Sequence, residues 1–232
     1  MAIGAFFDID NTVLQVNSGT KWIGYQWKNK QMSAWQLSQA LMWLAQYRFG
    51  VLDYDAMARK VLARYRDEHV HPIYEEVSAW FDREVRWAIC RQARDAVRSH
   101  REQGHALVLL TSATPFLSKR VGELLEVPHV LCTQLEVKDG RLTGKHFEPA
   151  CYGVGKVTHA ERFAAEHDID LGTSHFYSDS ISDLPMLARV GHAHVVNPDP
   201  RLRRQATARG WPISIWTAEG SPPSDHARSR TR

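Results

Sequence analysis

No apolar run in the chain approaches the ~20 residues that cross a bilayer. The longest candidates, ALVLLT (106–111) and LSQALMWLAQY (37–47), are far shorter. The N-terminus also lacks a basic segment followed by an apolar stretch and a small-residue cleavage site, so no export signal is read and the cytoplasm is the expected location. Cysteine is scarce: Cys90, Cys132 and Cys151 are odd in number, widely spaced and form no C-x-x-C pair. That excludes a disulfide framework and a zinc ribbon, and leaves three reduced, buried thiols as the expectation. Charge of one sign is lacking too, since 29 Lys and Arg meet 26 Asp and Glu for a net +3. The excess belongs to the end of the chain, where seven arginines from Arg201 onward face Glu219 and Asp225 and leave residues 1–200 slightly acidic. The closing SPPSDHARSRTR is polar and rich in Pro, Ser and Arg, which reads as a disordered tail over 219–232. No aromatic-and-basic strand motif accompanies the charge, so no nucleic-acid partner is expected.

What remains is enough for a sizeable core. With 44% apolar and 24% charged residues in 232, the chain suits one domain with a large insertion, or two unequal ones. Ile3–Phe7 reads as a short buried strand of the parallel type, continuous rather than alternating. Residues 18–103 then look helical almost throughout, with Gly rare and Pro72 the only proline. Strands return at His105–Thr111 after the helix stop Gly104, at HVLCT, and in LEVKDGRLTG, a hairpin turned by Asp139-Gly140. Helices are read at Pro115–Leu125, Gly155–His167, Pro185–Val190 and Arg201–Arg209, with strands SHFYSD, AHVV and PISIW between and after them. This alternation predicts an α/β fold: a doubly wound, Rossmann-like, mostly parallel sheet carrying an inserted all-helical cap. The expected core is 1–16 with 87–218, and the expected cap is 17–86. Trp22, Tyr25, Trp27, Trp35, Trp43 and Tyr47 read as the core between the cap helices, one or two of them facing a substrate. Twelve histidines include HVH (69–71) and HAH (192–194). Without acids or cysteines at ligand spacing they are expected to be surface or core residues, not a second metal site.

In an open α/β sheet, ligands bind beyond the carboxyl ends of the strands, and four features fall there. In FFDIDNT, Asp8 and Asp10 are two apart on an extended chain and so address one volume. Like charges that close need a cation between them, or one must keep its proton. The first solution suits Mg²⁺ and oxygen ligands; the second gives a nucleophile with an acid partner. In LLTSATPF, the hydroxyls of Thr111 and Ser112 and the amides around Ala113 precede Pro115 at a helix start. This is either an anion site or a cap serving only the helix. In YGVGKVTHAERF, Lys156 stands at a helix start, against the macrodipole, which suits a role facing phosphate, although a solvated lysine is the default. In FYSDSISDLPML, Asp179 and Asp183 read either as further oxygen ligands or as plain helix caps.

Together, and in this order, these stretches resemble the four motifs of the haloacid dehalogenase superfamily of phosphatases, spanning Asp8 to Asp183. The helical insert after the first motif, SATP after the second strand and the closing VVNPDPRLRRQATARGWPI are similar to its phosphoserine-phosphatase-like branch, subfamily IB. The resemblance implies a phosphomonoester hydrolase working through an aspartyl-phosphate, with Asp8 as nucleophile and Asp10 as general acid and then base. It makes Ser112 a phosphate ligand, with Ala113 beside it and Thr111 the fallback, and gives Lys156 the task of neutralising the phosphoryl group and Asp8. Mg²⁺ is implied at Asp8, Asp179 and the carbonyl of Asp10, supported by Asp183, with Thr12 orienting the loop. Phosphoserine phosphatases have a glutamate nine positions after the nucleophile to read the substrate amine. Here that position is Asn17, a poorer ammonium partner, so a histidinol-phosphate-like compound stands beside phosphoserine as the expected substrate. Asn17, Lys21, Trp22, Trp27 and Arg48 are candidates for reading the leaving group. The expected partner is a small phosphomonoester, with no stable membrane association and a monomer or homodimer as the acting form. A non-catalytic phosphate-binding protein is disfavoured because binding alone does not need Asp10. A lipid-phosphate phosphatase using the cap's tryptophans at a membrane surface is the remaining alternative.

Overall fold

The computed structural model describes residues 1–49 and 52–221, the side chains of 47–49 excepted. A six-stranded parallel sheet is formed by β1 (Gly4–Phe7), β2 (Ala106–Thr111), β3 (His129–Cys132), β6 (His175–Ser178), β7 (His192–Val196) and β8 (Ile213–Ser214). Its order is β3-β2-β1-β6-β7-β8. The chain therefore leaves the central β1 toward one edge, then crosses back to build the other half. The reversal falls beside β1, where Phe7 is in register with Leu109 of β2 and Tyr177 of β6.

Side-chain alternation gives the sheet two apolar faces, as a strand covered on both sides requires. Ala5, Phe7, Leu107 and Leu109 pack with α5 (Arg91–Glu102) and α6 (Pro115–Leu125). Phe6, Val108 and Leu110 pack with α7 (Val154–Glu166), α8 (Leu184–Arg189) and α9 (Pro200–Arg209). These are the two helical layers expected from the sequence, and α6 has the predicted bounds.

Between β1 and α5 lie α1 (Ser18–Lys28), α2 (Ala34–Phe49), α3 (Tyr54–Leu62) and α4 (Val70–Glu84). The expected all-helical insert is present, but not all its aromatics are internal. Trp80 is 2% exposed and is contacted edge-on by Trp22, itself stacked on Tyr25. Trp27 and Trp35, by contrast, are 47% and 73% exposed. Helix α2, AWQLSQALMWLAQYRF, is apolar on more than one face; burying Ala40 and Trp43 leaves Trp35, Leu41 and Met42 outside. The Tyr47 side chain lies outside the described residues.

The hairpin β4 (Leu135–Lys138) and β5 (Arg141–His146) has positive φ at both Asp139 (50°) and Gly140 (72°), as a primed turn demands. It lies within the expected core range, yet its tip bonds to the cap. Asp67 N donates to Leu142 O, Leu142 N to Glu68 O and Val70 N to Gly140 O. A second departure is at the C-terminus. Glu219 N donates to Ile89 O and Gly220 N to Trp87 O, and Arg94 pairs with Glu219 at 2.9 Å. The expected tail thus begins with residues bonded to the core, while 222–232 lie outside the described residues. All three cysteines are free and buried. No helix among the described residues is long and apolar enough to cross a membrane.

Candidate active site

Parallel strands in register bring their carboxyl ends to one edge. Asp8 follows β1, Ser112 follows β2 and Asp179 follows β6, so three separate sequence features become neighbours across the reversal point. Lys156 arrives from the first turn of α7. A Cβ on Gly155 would lie 1.9 Å from the Ala150 carbonyl oxygen, so only glycine lets that turn settle close enough to sink the lysine.

Lys156 is 2% exposed, and its Nζ lies 2.6 Å from Asp8 Oδ1 and 2.6 Å from Asp183 Oδ2. Ser178 Oγ donates to the same Asp183 oxygen at 2.6 Å, while Asp183 Oδ1 is buried without a hydrogen-bond partner. Asp179 is held by Asn11 Nδ2 at 3.2 Å and Thr12 Oγ1 at 3.5 Å. Asp10 Oδ1 accepts from the Ser18 amide at the start of α1, 2.9 Å away. Asp8, Asp10, Asp179 and Asp183 line one cavity of about 530 Å³ whose roof is the cap.

The electrostatics are unbalanced. Burial pushes the Asp8 carboxyl up to about 7, against the pull of Lys156. Burial also raises Asp10, against donation from Ser18, and raises Asp179 well above the usual carboxylate range, with Asp8 adding to the shift. Four acids sharing one ammonium, all with hard oxygen donors and with one carboxylate oxygen orphaned, fit a divalent cation of the Mg²⁺ type.

Ser112 and Ala113, in the loop after β2, line another side of the cavity. Thr114 caps α6 without a side-chain hydrogen bond, so these hydroxyls do not serve the helix start as its cap. Thr111 does not line the cavity; its Oγ1 accepts from the Ala113 amide at 3.2 Å. Of the two hydroxyl residues read from the sequence, Ser112 lines the cavity and Thr111 does not.

Residues 5–188 match the haloacid dehalogenase-like hydrolase family. The chain belongs to that family. Over 217 residues it is 32% identical to a histidinol-phosphatase of Neisseria meningitidis, covering 90% of this chain and 96% of that one. Over 220 residues it is 30% identical to a phosphoserine phosphatase of Mycobacterium tuberculosis, covering 92% and 70%. A solved protein of unknown function from Bordetella pertussis superposes with a TM-score of 0.81 at 27% identity, over 92% of this chain and 98% of that one. This haloacid dehalogenase-like hydrolase is a phosphatase by class.

Of the leaving-group candidates, Trp22 and Asn17 line the cavity of the hydrolase. The Asn17 Oδ1, however, caps α1, accepting from Thr20 N at 2.8 Å and Thr20 Oγ1 at 2.9 Å, so it is committed to the helix. Lys21 lies over the Trp87 ring at 5.8 Å, and neither it nor Trp27 lines the cavity. The Arg48 side chain is outside the described residues.

Tyr54 and Tyr152 have no counterpart in the sequence reading. Tyr54, from the cap, donates to the Ser112 carbonyl at 2.6 Å and stacks on Tyr152 with ring centroids 4.6 Å apart. Burial pushes its hydroxyl up to about 12, so it stays a donor. This bond ties the roof to the loop that follows β2. Tyr54→Phe keeps the stack and removes the bond; kcat/KM is expected to fall about fivefold, the equivalent of ~1 kcal/mol. Steady-state kinetics check this, and an unchanged kcat/KM would mean the roof closes without Tyr54.

Proposed function

We propose that this phosphatase hydrolyses small phosphomonoesters in a Mg²⁺-dependent reaction through an aspartyl-phosphate on Asp8, with a histidinol-phosphate-like substrate ahead of phosphoserine. The observation that carries the reading is the buried Lys156 ammonium, 2.6 Å from both Asp8 and Asp183 at the floor of the cavity. Because Lys156 engages Asp8 Oδ1, Oδ2 is the oxygen left for in-line attack on phosphorus. Asp10, whose burial favours the protonated form, donates that proton to the departing alkoxide. Ionised Asp10 then takes a proton from the water that cleaves the acyl phosphate. Ser112 holds a phosphoryl oxygen, with Ala113 beside it, and Lys156 balances the phosphoryl charge. Mg²⁺, held by Asp8, Asp179 and the Asp10 carbonyl with Asp183 behind them, would neutralise the remaining negative charge. The cap roof keeps bulk water from the phosphoryl group.

The substrate choice follows from the roof. Among the described residues, no acid of the cap lines the cavity, whereas Trp22, Trp43, Tyr65 and Trp80 do. Aromatic faces hold a ring or an organic cation by stacking and cation–π attraction, which favours histidinol phosphate. The relative named histidinol-phosphatase, similar along almost its whole length, supports the same reading. A phosphate-release screen over small phosphomonoesters tests it. Histidinol phosphate is expected to give the highest kcat/KM, and EDTA to abolish turnover that Mg²⁺ restores. Equal rates for every compound would remove the specificity claim; turnover indifferent to EDTA would remove the metal. A second reading, action on a lipid phosphate at a membrane surface, draws on the exposed Trp27, Trp35, Leu41 and Met42. Flotation of the chain with anionic vesicles would favour it, and recovery away from the vesicles would dismiss it.

A further inference from the structure

Five histidines that the sequence scatters over nearly a hundred residues come together at the other end of the sheet. His100 lies in the last turn of α5 and is 5% exposed. His105 is in the link to β2, His175 opens β6, and His192 and His194 belong to β7. His100 and His175 have ring centroids 4.6 Å apart, and His105 and His175 5.4 Å. One nitrogen from each of His100, His105 and His175 falls within 4.8 Å of the others. The HAH motif contributes through the register of β7 with β6, where His192 pairs with His175 and His194 with Tyr177.

The partners of each ring decide what the cluster can do. His100 Nε2 lies 2.9 Å from the Tyr177 hydroxyl, and His175 Nδ1 lies 3.0 Å from His194 Nε2. One nitrogen of His100 and one of His175 are thus engaged from outside the trio, the arrangement that fixes tautomer and orientation in metal-binding histidines. The remaining His100 nitrogen, Nδ1, points at His105 Nδ1 only 2.8 Å away. No carboxylate shares these contacts, so nothing there favours protonation. Burial holds His100 down to about 4 and His175 to about 3, the neighbouring rings adding to the effect. At neutral pH His100 and His175 are therefore uncharged and carry lone pairs.

We propose that His100, His105 and His175 form a binding site for a borderline divalent transition-metal ion of the zinc type, separate from the carboxylate cavity. Imidazole-only donor sets suit zinc, copper, nickel and cobalt, whereas Mg²⁺ prefers oxygen. At zinc–nitrogen distances of ~2.0–2.1 Å, tetrahedral ligand nitrogens stand roughly 3.4 Å apart. The 2.8 Å pair must open slightly and the wider pairs close, which ring rotation and the half-buried loop residue His105 allow. Binding would displace the proton between His100 and His105, which moves to His105 Nε2, so that both rings stay neutral and present Nδ1 to the ion. The ion would pin the α5–β2 link onto β6. Since His175 begins the strand that ends beside Asp179, the two sites are about 13 Å apart along it. His105 and His175 are only half-buried and His192, stacked on His175, is exposed, so the cluster lies close to solvent.

The test is calorimetric titration of the tag-free full chain with zinc chloride in excess Mg²⁺, which keeps the carboxylates occupied. One equivalent of zinc is expected, with an affinity at least about tenfold weaker in Tyr177→Phe, the loss typical of removing an orienting partner. It should be weaker still in His105→Ala, which alters a link residue and is expected to retain its circular dichroism and its Mg²⁺-supported phosphatase activity. Cobalt(II) supplies a second readout, visible bands of a nitrogen-ligated ion that His105→Ala abolishes. No zinc bound by the unaltered chain, or equal affinity or equal cobalt bands in His105→Ala, would overturn the proposal. So would a folded His105→Gln binding zinc as tightly as the unaltered chain. None of these outcomes bears on the phosphatase reading.

Discussion

Asp8→Asn is expected to lower phosphate release by at least ~10³-fold while leaving the fold intact. The loss lies above the lower end of the ~10²–10⁴-fold range for a general acid or base, because the proposed covalent intermediate forms on Asp8 itself. Asn occupies the same volume, and its amide oxygen still accepts from Lys156, whose second partner Asp183 remains 2.6 Å away. Substrate binding should therefore survive, so kcat falls and KM changes little. The substitution also removes one of four acids around a single ammonium, in a position where burial already disfavours the ionised form. A melting temperature close to that of the parent is the expected result. Phosphate release and a thermal melt on the same preparation decide the matter: activity within tenfold of the parent would exclude Asp8 as the nucleophile.

Lys156→Met should cost both activity and stability. The ammonium is 2% exposed and bonds two carboxylates, one of them buried to 1%. Removing one partner of a buried ion pair costs about 3–5 kcal/mol because the other charge is left uncompensated. For a chain of this size that is a fall of roughly 10 °C in melting temperature, at ~2–4 °C per kcal/mol. Met retains the apolar stem beside Phe176, over whose ring the ammonium sits at 5.6 Å, so lost packing is a small part. Mg²⁺ should restore more of the melting temperature in the variant than it adds to the parent, since it supplies the missing positive charge. It should not restore turnover, because phosphoryl transfer needs the ammonium in its own place; a loss of at least ~10²-fold is expected, comparable to that for one oxyanion donor. A melting temperature within two or three degrees of the parent would show that the acids do not depend on Lys156.

The contrast between what the sequence reveals and what it hides follows the range of each interaction. Helix α6 is legible to the residue because its signals are adjacent, Pro115 at the start and apolar periodicity within. The acids at strand ends are legible because an apolar run stops at each of them. Asn11, at φ 56° and bonded to Asp179, lies within the quoted DIDNT and could have been found, since Asn tolerates that region and acids need donors. Tyr54 could not. It meets Ser112 across 58 positions, and nothing in YDAMARKVL distinguishes a tyrosine that clasps the phosphate loop from one that packs a helix. Periodicity likewise shows that Trp35 belongs to a helix face but not which face is covered. The histidines look unremarkable for the same reason: ligand spacing is a local pattern, whereas their proximity is created by strand register.

The hairpin alters the kinematics of the cap. An insertion in a single loop hangs from two neighbouring chain crossings and is free to swing, twist or slide. Here β4 and β5 rise from Thr133, Gln134 and Phe147 at the sheet edge, where Phe147 N donates to Gln134 O and Thr133 Oγ1 to Ser112 O. Their far end is bonded to residues 67–70. The roof is therefore the helical insert together with the hairpin, joined to the sheet at two separated places and held to α6 by Arg120 on Asp82 and Tyr74 on Glu123. So braced, the roof holds Tyr54 in one place over the Ser112 carbonyl instead of leaving it on a loosely tethered insert.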